Sequence, residues 1–160
     1  MSVKVPPKGT RGAAGWPSSP EQTLAWSEQQ RREFRERGGG RTQGGIPTLL
    51  LETVGAKSGE PRVAMVGYVD EAPGSWLVIG SMSGIAHHPA WVYNLAKRPQ
   101  ATVELPGGRR VDVDAETPEG PDLEAAWELI GREAPEYPKY RSQTDREIPV
   151  IRLRERRNPG

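Results

Sequence analysis

The sequence predicts a small, mainly β protein built as an antiparallel barrel with flanking helices. Six short segments carry the alternation or β-branched content of strands, and most are separated by turns rich in Gly and Pro. Helical patterns interrupt these strands irregularly, which argues against the regular strand–helix alternation of a parallel sheet. A length of 160 residues fits one domain with one core.

The N-terminal residues 1–18 are rich in Pro, Gly and Ser and hold few large apolar side chains. Such a composition buries too little apolar surface to order itself, so we expect a disordered tail. The predicted barrel domain, with its N-terminal helix, then covers residues 19–160.

The first helix is predicted from a capping pattern. Ser19 suits the N-cap, Pro20 the first helical position and Gln22 the capping box, and the helix ends near Arg37, before the glycines 38–40. Its large apolar residues are few: Leu24, Trp26 and Phe34. This content favours a solvated helix on the barrel surface over a helix that binds a partner or a membrane.

The remaining elements follow from periodicity and from turn residues. Strands are predicted at residues 47–54, 62–70, 75–81, 100–105, 109–116 and 149–153. Helices are predicted at 89–97 and 121–132, since each begins at a proline and carries apolar residues at helical spacing. The polar segment 136–147 is expected to be loop with a short helical turn.

Composition excludes several classes of function. Lys and Arg total 22 against 21 for Asp and Glu, so no net charge points to nucleic acid, and nothing indicates peripheral membrane contact. The chain has no cysteine, which excludes disulfides and thiolate chemistry. We find no apolar run of about 18 residues and no signal-peptide core, so we expect a cytoplasmic protein.

The common catalytic and metal-binding patterns are missing. His87 and His88 are the only histidines, and as sequence neighbours they point in different directions, so we expect no metal site. Residues 80–84 approach a nucleophile elbow, but Met82 stands where the nucleophile would be. No glycine pattern matches a P-loop or a dinucleotide fingerprint.

The segment 55–62, called here the basic turn, is the first candidate for binding. Lys57 and Arg62 supply two positive charges, Ser58 a hydroxyl, and the glycines flexible backbone amides. Such a group can bind a phosphate. Taken alone, the segment is more simply an ordinary hairpin turn that happens to be basic.

A second candidate region follows the third strand. The small residues from Ser81 to Gly84 leave room for a planar ring, and the helix beginning near Pro89 offers unpaired amides to an anion. Core packing explains Trp91 at least as well as a cofactor wall does. Tyr137 and Tyr140 lie in the polar late segment with no evident core to join. A role in lining a site and an ordinary structural role are therefore equally supported.

Taken in order, three segments give the chain a family resemblance: IPTLLLETVGAKSGEPR, GSMSGIAHHPAWVYNL and YPKYRSQTDREIPV. The chain resembles the deazaflavin-dependent nitroreductases and quinone reductases of actinobacteria over about residues 44–154. The resemblance implies a split β-barrel, the fold of FMN-binding and pyridoxamine-oxidase-like proteins. It also implies coenzyme F420, an 8-hydroxy-5-deazaflavin whose tail carries a phosphate and glutamates, and a hydride transfer to a quinone, a nitro compound or another electron-poor acceptor.

The resemblance also implies a set of site residues. In it, Lys57, Ser58 and Arg62 match positions that hold the anionic tail, and Ser81, Tyr137 and Tyr140 are the catalytic candidates that hydrogen-bond the acceptor. The implied coenzyme-binding positions are Ala56, Lys57, Ser58, Arg62, Val63, Ala64, Met65, Val66, Gly67, Ile79, Gly80, Ser81, Met82, Ala90, Trp91, Val92, Tyr93, Asn94 and Tyr137.

Some positions depart from the nitroreductase pattern. Ala134 and Gly67 stand where a nitroimidazole-activating relative has tyrosines, so we expect quinones to be better acceptors than bulky nitroimidazoles. Two alternatives stay open, a non-catalytic carrier of deazaflavin or another small molecule and an FMN-dependent oxidase on the same fold. Both a monomer and a homodimer are compatible with the sequence.

Overall fold

Six antiparallel strands close into a barrel in the computed structural model of the chain, which describes residues 2–7, 20–42, 45–80, 88–143 and 147–156. The strands are β1 (Thr48–Val54), β2 (Pro61–Ala72), β3 (Ser75–Ile79), β4 (Gln100–Glu104), β5 (Arg110–Glu116) and β6 (Val150–Glu155). Their order around the barrel is β1-β2-β3-β6-β5-β4, with β4 pairing back to β1. The predicted barrel is confirmed.

In the described part of the chain, four helices accompany the barrel: α1 (Pro20–Arg37), α2 (Ala90–Lys97), α3 (Pro121–Glu133) and α4 (Glu136–Gln143). Among the described residues no helix is long and apolar enough to cross a membrane. As predicted, the helices lie between the strands in the sequence without a regular alternation. All six strands are antiparallel to their neighbours in the barrel.

The barrel core consists of alternate side chains that point inward from every strand, as period-two patterning requires. Trp91, Val92 and Leu95 of α2 join it and plug the end of the barrel where β1 and β3 finish. The strand residues of the core include Leu49, Leu51, Val66, Tyr68, Trp76, Val78, Val103, Val111, Val113, Ile151 and Leu153.

An outer apolar cluster lies on the opposite face of β2, β3 and β6, under α3 and α4. Its strand members are Val69, Leu77, Ile79 and Val150. The helices and connecting segments contribute Ala126, Ile130, Ala134, Tyr137, Ile46 and Ile148. The Tyr137 side chain is only 4% exposed, and its burial gives α4 the tertiary anchor that a short polar helix needs. This corrects the expectation that 136–147 is mostly loop.

The predicted end of the third strand differs from the structure. β3 ends at Ile79 and not at Ser81. Ile79 pairs with Val150, and the Gly80 N–H donates to the Pro149 carbonyl at 2.9 Å. Because Pro149 has no N–H to return, the ladder with β6 cannot continue. Ser81 itself lies outside the described residues.

The expected disordered tail is wrong for residues 2–7, called here the N-terminal strap. Val3 is buried in the barrel core. The Thr117 N–H donates to the Ser2 carbonyl, and the Lys4 N–H donates to Thr117 Oγ1, both at 3.0 Å. His88 Nε2 donates to the Pro6 carbonyl at 2.8 Å. One apolar anchor and these backbone bonds order a segment whose average composition suggested otherwise; residues 8–18 lie outside the described part.

A buried arginine crosslinks four elements on the outer face. The Arg152 guanidinium of β6 binds Glu71 of β2 through two bonds of 2.6 and 2.8 Å. It binds Asp122 of α3 through two bonds of 2.7 and 2.9 Å, and Glu116 of β5 at 3.4 Å. Hydrogen bonds from Arg152 hold the pKa of Glu71 and the pKa of Asp122 below their ordinary values.

Candidate functional site

Among the described residues, one edge of β2 has no strand partner near the plugged end of the barrel. β2 pairs with β1 from residue 61 onward, but the pairing with β3 begins only at Tyr68, opposite Val78. Among the described residues, no strand therefore lies against residues 61–67 on the side away from β1. We call this stretch the open edge.

The hydrogen-bond alternation decides which backbone groups face the open edge. The Gly55 N–H donates to the Glu60 carbonyl at 2.8 Å, and the Tyr68 N–H donates to the Pro47 carbonyl at 3.1 Å. Every second residue of β2 between these points bonds to β1. The N–H and C=O groups of Val63 and Met65 consequently point away from β1, toward the open edge.

The basic turn connects β1 to β2 beside this edge. Ser58 Oγ accepts a bond from the Glu60 N–H at 3.2 Å, and Gly59 has a φ of +72°, a conformation that glycine adopts without strain. Lys57 and Ser58 are exposed, and Arg62 is half-buried with its guanidinium donating to the Pro61 carbonyl at 3.0 Å. Two cations and a hydroxyl thus face solvent at the mouth of the open edge.

Helix α2 holds the basic turn from the inner side. Asn94 Oδ1 accepts from the Ala56 N–H at 2.9 Å, and Asn94 Nδ2 donates to Thr53 Oγ1 at 3.0 Å. Lys97 Nζ donates to the Ala56 carbonyl at 2.7 Å. The family resemblance implied Asn94 and Ala56 as coenzyme-binding positions but not Thr53 or Lys97. Lys97 follows Asn94 by three residues and so shares its helix face.

The same helix packs on the end of β3. A Cβ added at Gly80 would lie 3.2 Å from Val92 and 3.2 Å from Pro149, so these segments approach closely. Of the predicted positions on α2, Trp91 and Val92 are core residues, whereas Ala90 is exposed and Tyr93 is 40% exposed. Only the latter two present side chains to a ligand at the surface.

The implied coenzyme-binding residues of β2 fall into two sets, whose side chains point to opposite faces of the strand. Ala64 and Val66 point into the barrel and their backbones bond to β1, so they face a ligand least. Val63 and Met65 are half-buried and, with Gly67, belong to the outward-pointing set. The open edge is therefore lined by the odd-numbered residues of this stretch.

Tyr137 lies directly over Gly67. A Cβ built on Gly67 would overlap the Tyr137 hydroxyl oxygen. Glu136, its neighbour on α4, accepts from Thr42 Oγ1 at 2.8 Å, which ties the helix to the segment before β1. Ala134 is fully buried in the outer apolar cluster and lines no surface. Ser81, Met82 and the side chain of Tyr140 lie outside the described residues.

The Gly67–Tyr137 contact leads to a prediction. Gly67→Ala should destabilise the protein by about 1–3 kcal/mol, because the added methyl overlaps the phenol oxygen and Tyr137 must shift. Tyr137→Phe removes that oxygen, so the double variant should recover part of the loss, and the remainder reflects the Thr42 methyl, which would lie 2.8 Å from the added carbon. Urea unfolding of both single variants and the double variant measures this coupling; strictly additive losses would show that the contact is not the cause.

The site carries no metal-binding pattern in the part of the chain that the structure describes. In the described residues, the site combines a turn that carries two cations and a hydroxyl, a strand edge with no described partner strand, and the start of a helix. Such an arrangement can hold a molecule with a charged tail and a planar, hydrogen-bonding head.

Comparison with known proteins gives consistent matches. A profile of the F420H(2)-dependent quinone reductase family matches residues 26–155. The chain is 34% identical over 121 residues to an F420H(2)-dependent quinone reductase of Mycobacterium tuberculosis strain H37Rv, covering 74% of this chain and 80% of the relative.

Solved structures agree with these sequence matches. A structure described as an F420-H2 dependent reductase (FDR-A) has a TM-score of 0.59 and 33% identity, over 66% of this chain and 92% of that one. Another, described as a domain-swapped dimer, has a TM-score of 0.61 and 32% identity, over 84% of this chain and 99% of that one.

Proposed function

The chain belongs to the family of F420H(2)-dependent quinone reductases, and from that premise we propose that it transfers a hydride from reduced coenzyme F420 to a quinone. It is an oxidoreductase whose cofactor is coenzyme F420. The proposal includes a quinone as the acceptor and a cytoplasmic location. It also assigns the residues that bind the coenzyme and the acceptor.

The observation that carries the proposal is the position of the basic turn beside the open edge. The coenzyme tail is anionic, and Lys57, Ser58 and Arg62 offer two charged donors and a hydroxyl to it. Charge-assisted bonds to phosphate and carboxylate are the strongest hydrogen bonds available to such donors. The donor set therefore fits the tail, and the backbone of Val63 and Met65 is available to the ring.

When bound, the coenzyme supplies a hydride donor of low reactivity toward oxygen, and the protein supplies position and polarity. Val63 and Met65 would orient the ring through backbone N–H and C=O groups. Helix α2, through Trp91 and Val92, closes the barrel end against water. Tyr137, Ser81 and Tyr140 are our candidates to donate a hydrogen bond to the acceptor oxygen as negative charge develops there.

The test follows the oxidation of reduced coenzyme F420 with a panel of quinones and nitro compounds. Rapid turnover of a quinone, with slower turnover of a bicyclic nitroimidazole, supports the proposal. Tight binding of the coenzyme without turnover of any acceptor would indicate a carrier instead. Binding of FMN in preference to coenzyme F420 would indicate an oxidase on the same fold. Size-exclusion chromatography in the same buffer distinguishes a monomer from a homodimer.

Removing the charged donors should weaken coenzyme binding. Lys57→Ala and Arg62→Ala should each raise the Kd for coenzyme F420 about tenfold, since a hydrogen bond to a charged group contributes roughly 1.5–3 kcal/mol. Fluorescence quenching of the deazaflavin measures the Kd. Arg109→Ala is the matched control, because Arg109 is an exposed cation in the β4–β5 turn at the opposite end of the barrel. Unchanged affinity in both test variants would remove the basic turn from the site.

A further inference from the structure

The backbone of Ala56, which immediately precedes Lys57, is held by protein at both its N–H and its carbonyl. Its N–H donates to Asn94 Oδ1 at 2.9 Å, and its carbonyl accepts from Lys97 Nζ at 2.7 Å. Both partners lie on α2, three residues apart. A rigid helix therefore fixes the orientation of the peptide from which the Lys57 side chain departs.

Asn94 uses both the nitrogen and the oxygen of its amide in internal contacts. Its amide nitrogen donates to Thr53 Oγ1 at 3.0 Å while its oxygen accepts from Ala56. The Asn94 side chain is 6% exposed and that of Thr53 is 2% exposed. Neither side chain has a surface left for a ligand tail, so any effect on binding must pass through the basic turn.

Thr53 also connects this contact to the second cation. In the register of β1 and β2, Thr53 lies directly opposite Arg62. The chain of bonds from Thr53 through Asn94 to Ala56 thus starts beside Arg62 and ends at the peptide before Lys57. It sets the relative position of the two cations that flank the turn.

We propose that Thr53, Asn94 and Lys97 are positioning residues that hold the basic turn, before any ligand arrives, in the arrangement that binds the anionic tail of the coenzyme. The inference rests on the proposed function for the identity of the ligand. Preorganisation of this kind raises affinity because the turn loses little conformational freedom on binding. The positioning residues act on the tail of the coenzyme and leave the recognition of its ring unchanged.

Thr53→Val is the sharpest test, because valine keeps the shape and burial of threonine and removes only the acceptor of the Asn94 amide. It should raise the Kd for coenzyme F420 about tenfold, the effect of losing one hydrogen bond of roughly 1.4 kcal/mol. The Kd for the deazaflavin chromophore without its phosphate and glutamate tail should not change. Thr53→Ser, which restores the hydroxyl, should bind the intact coenzyme with an affinity near that of the unaltered chain.

Hydrogen exchange supplies a readout that needs no ligand. The Ala56 amide, protected by Asn94 in the unaltered chain, should exchange faster in Thr53→Val while the amides of the barrel strands exchange at unchanged rates. Thr102→Val is the matched control, since Thr102 also bonds through its hydroxyl, to Asp112, but points to the outer face of the barrel and makes no bond to α2 or to the basic turn among the described residues. It should alter neither the Ala56 exchange rate nor the Kd.

Lys97→Met provides a second variant whose folding is not in question, because Lys97 is exposed. It should weaken binding of the intact coenzyme and leave binding of the tailless chromophore unchanged. Arg98→Met, which removes a neighbouring exposed charge, should have a smaller effect on the Kd for the intact coenzyme. The inference would be overturned if the variants bound the intact coenzyme and the tailless chromophore more weakly by the same factor. It would also be overturned if the Kd for the intact coenzyme were unaltered in both Thr53→Val and Lys97→Met. If the unaltered chain fails to bind coenzyme F420, the proposed function fails, and the Ala56 exchange rates still decide whether the turn is held as we infer.

Discussion

Arg152→Met is expected to destabilise the protein by about 3 kcal/mol. Breaking a buried ion pair leaves uncompensated carboxylates and commonly costs about 3–5 kcal/mol. Here Glu71, Glu116 and Asp122 all lie within hydrogen-bond distance of the lost guanidinium. The lower end of the range applies because the Asp122 side chain is 52% exposed and water can replace part of the interaction.

Urea unfolding, followed by circular dichroism, measures this change. Arg156→Met is the matched control: Arg156 also bonds a carboxylate, Asp114 at 3.3 Å, but its side chain is 40% exposed. Exposed pairs contribute about 0–1 kcal/mol, so the control should change stability little. Equal losses in the two variants would show that burial of Arg152 is not what makes its contacts matter.

The same network makes stability depend on pH with a definite sign. The pKa of Glu71 and the pKa of Asp122 are lowered from ordinary values of 4.5 and 3.8, chiefly by hydrogen bonds from Arg152. A carboxyl with a lowered folded-state pKa stabilises the fold above its unfolded pKa and stops doing so as the pH falls through the folded pKa. The unaltered chain should therefore lose stability below about pH 4.5, and Arg152→Met should show a shallower loss there.

Val3→Asp is expected to be the second damaging change, with a loss of about 3 kcal/mol or more. Val3 is buried in the barrel core, and a carboxylate there would be desolvated without a partner. Thermal unfolding measures the effect. Ser2→Asp is the matched control, since it adds the same charge at an exposed position one residue earlier.

A shortened chain beginning at residue 19 tests the N-terminal strap as a whole. The composition of residues 1–18 predicts that their removal is harmless, whereas the bonds to Thr117 and His88 predict a lower melting temperature. Because His88 lies next to the start of α2, we expect the shortened chain to bind the coenzyme more weakly as well. A shortened chain with unchanged melting temperature and affinity would contradict both expectations.

The sequence was informative where the signal is local. The apolar run of β1, the turn residues around β4, the alternation in β5, and the prolines at the starts of α1 and α3 predicted those elements within a residue or two. The basic turn was also visible, since its cations and glycines are contiguous. Local signals suffice for such features because hairpins and helix ends are determined by residues close together in the chain.

The features that were missed depend on residues far apart in the chain. Asn94 lies 41 residues from Thr53, and Arg152 lies 81 from Glu71. No periodicity links such pairs; only the closure of the barrel brings them together. Val3 illustrates the same point, because its burial depends on contacts with the barrel core that composition cannot reveal. The space at Gly67 for the Tyr137 hydroxyl is likewise a property of the assembled fold.

The N-terminal strap also has a consequence for the order in which the molecule is completed. Its residues leave the ribosome before those of the barrel strands, yet their partners are His88 and the segment around Thr117. At synthesis rates of about 5–20 residues per second, the strap waits several seconds for those partners to emerge. A segment made before every barrel strand is therefore among the last to dock, and the strap is fully anchored only after the segment around Thr117 has been translated.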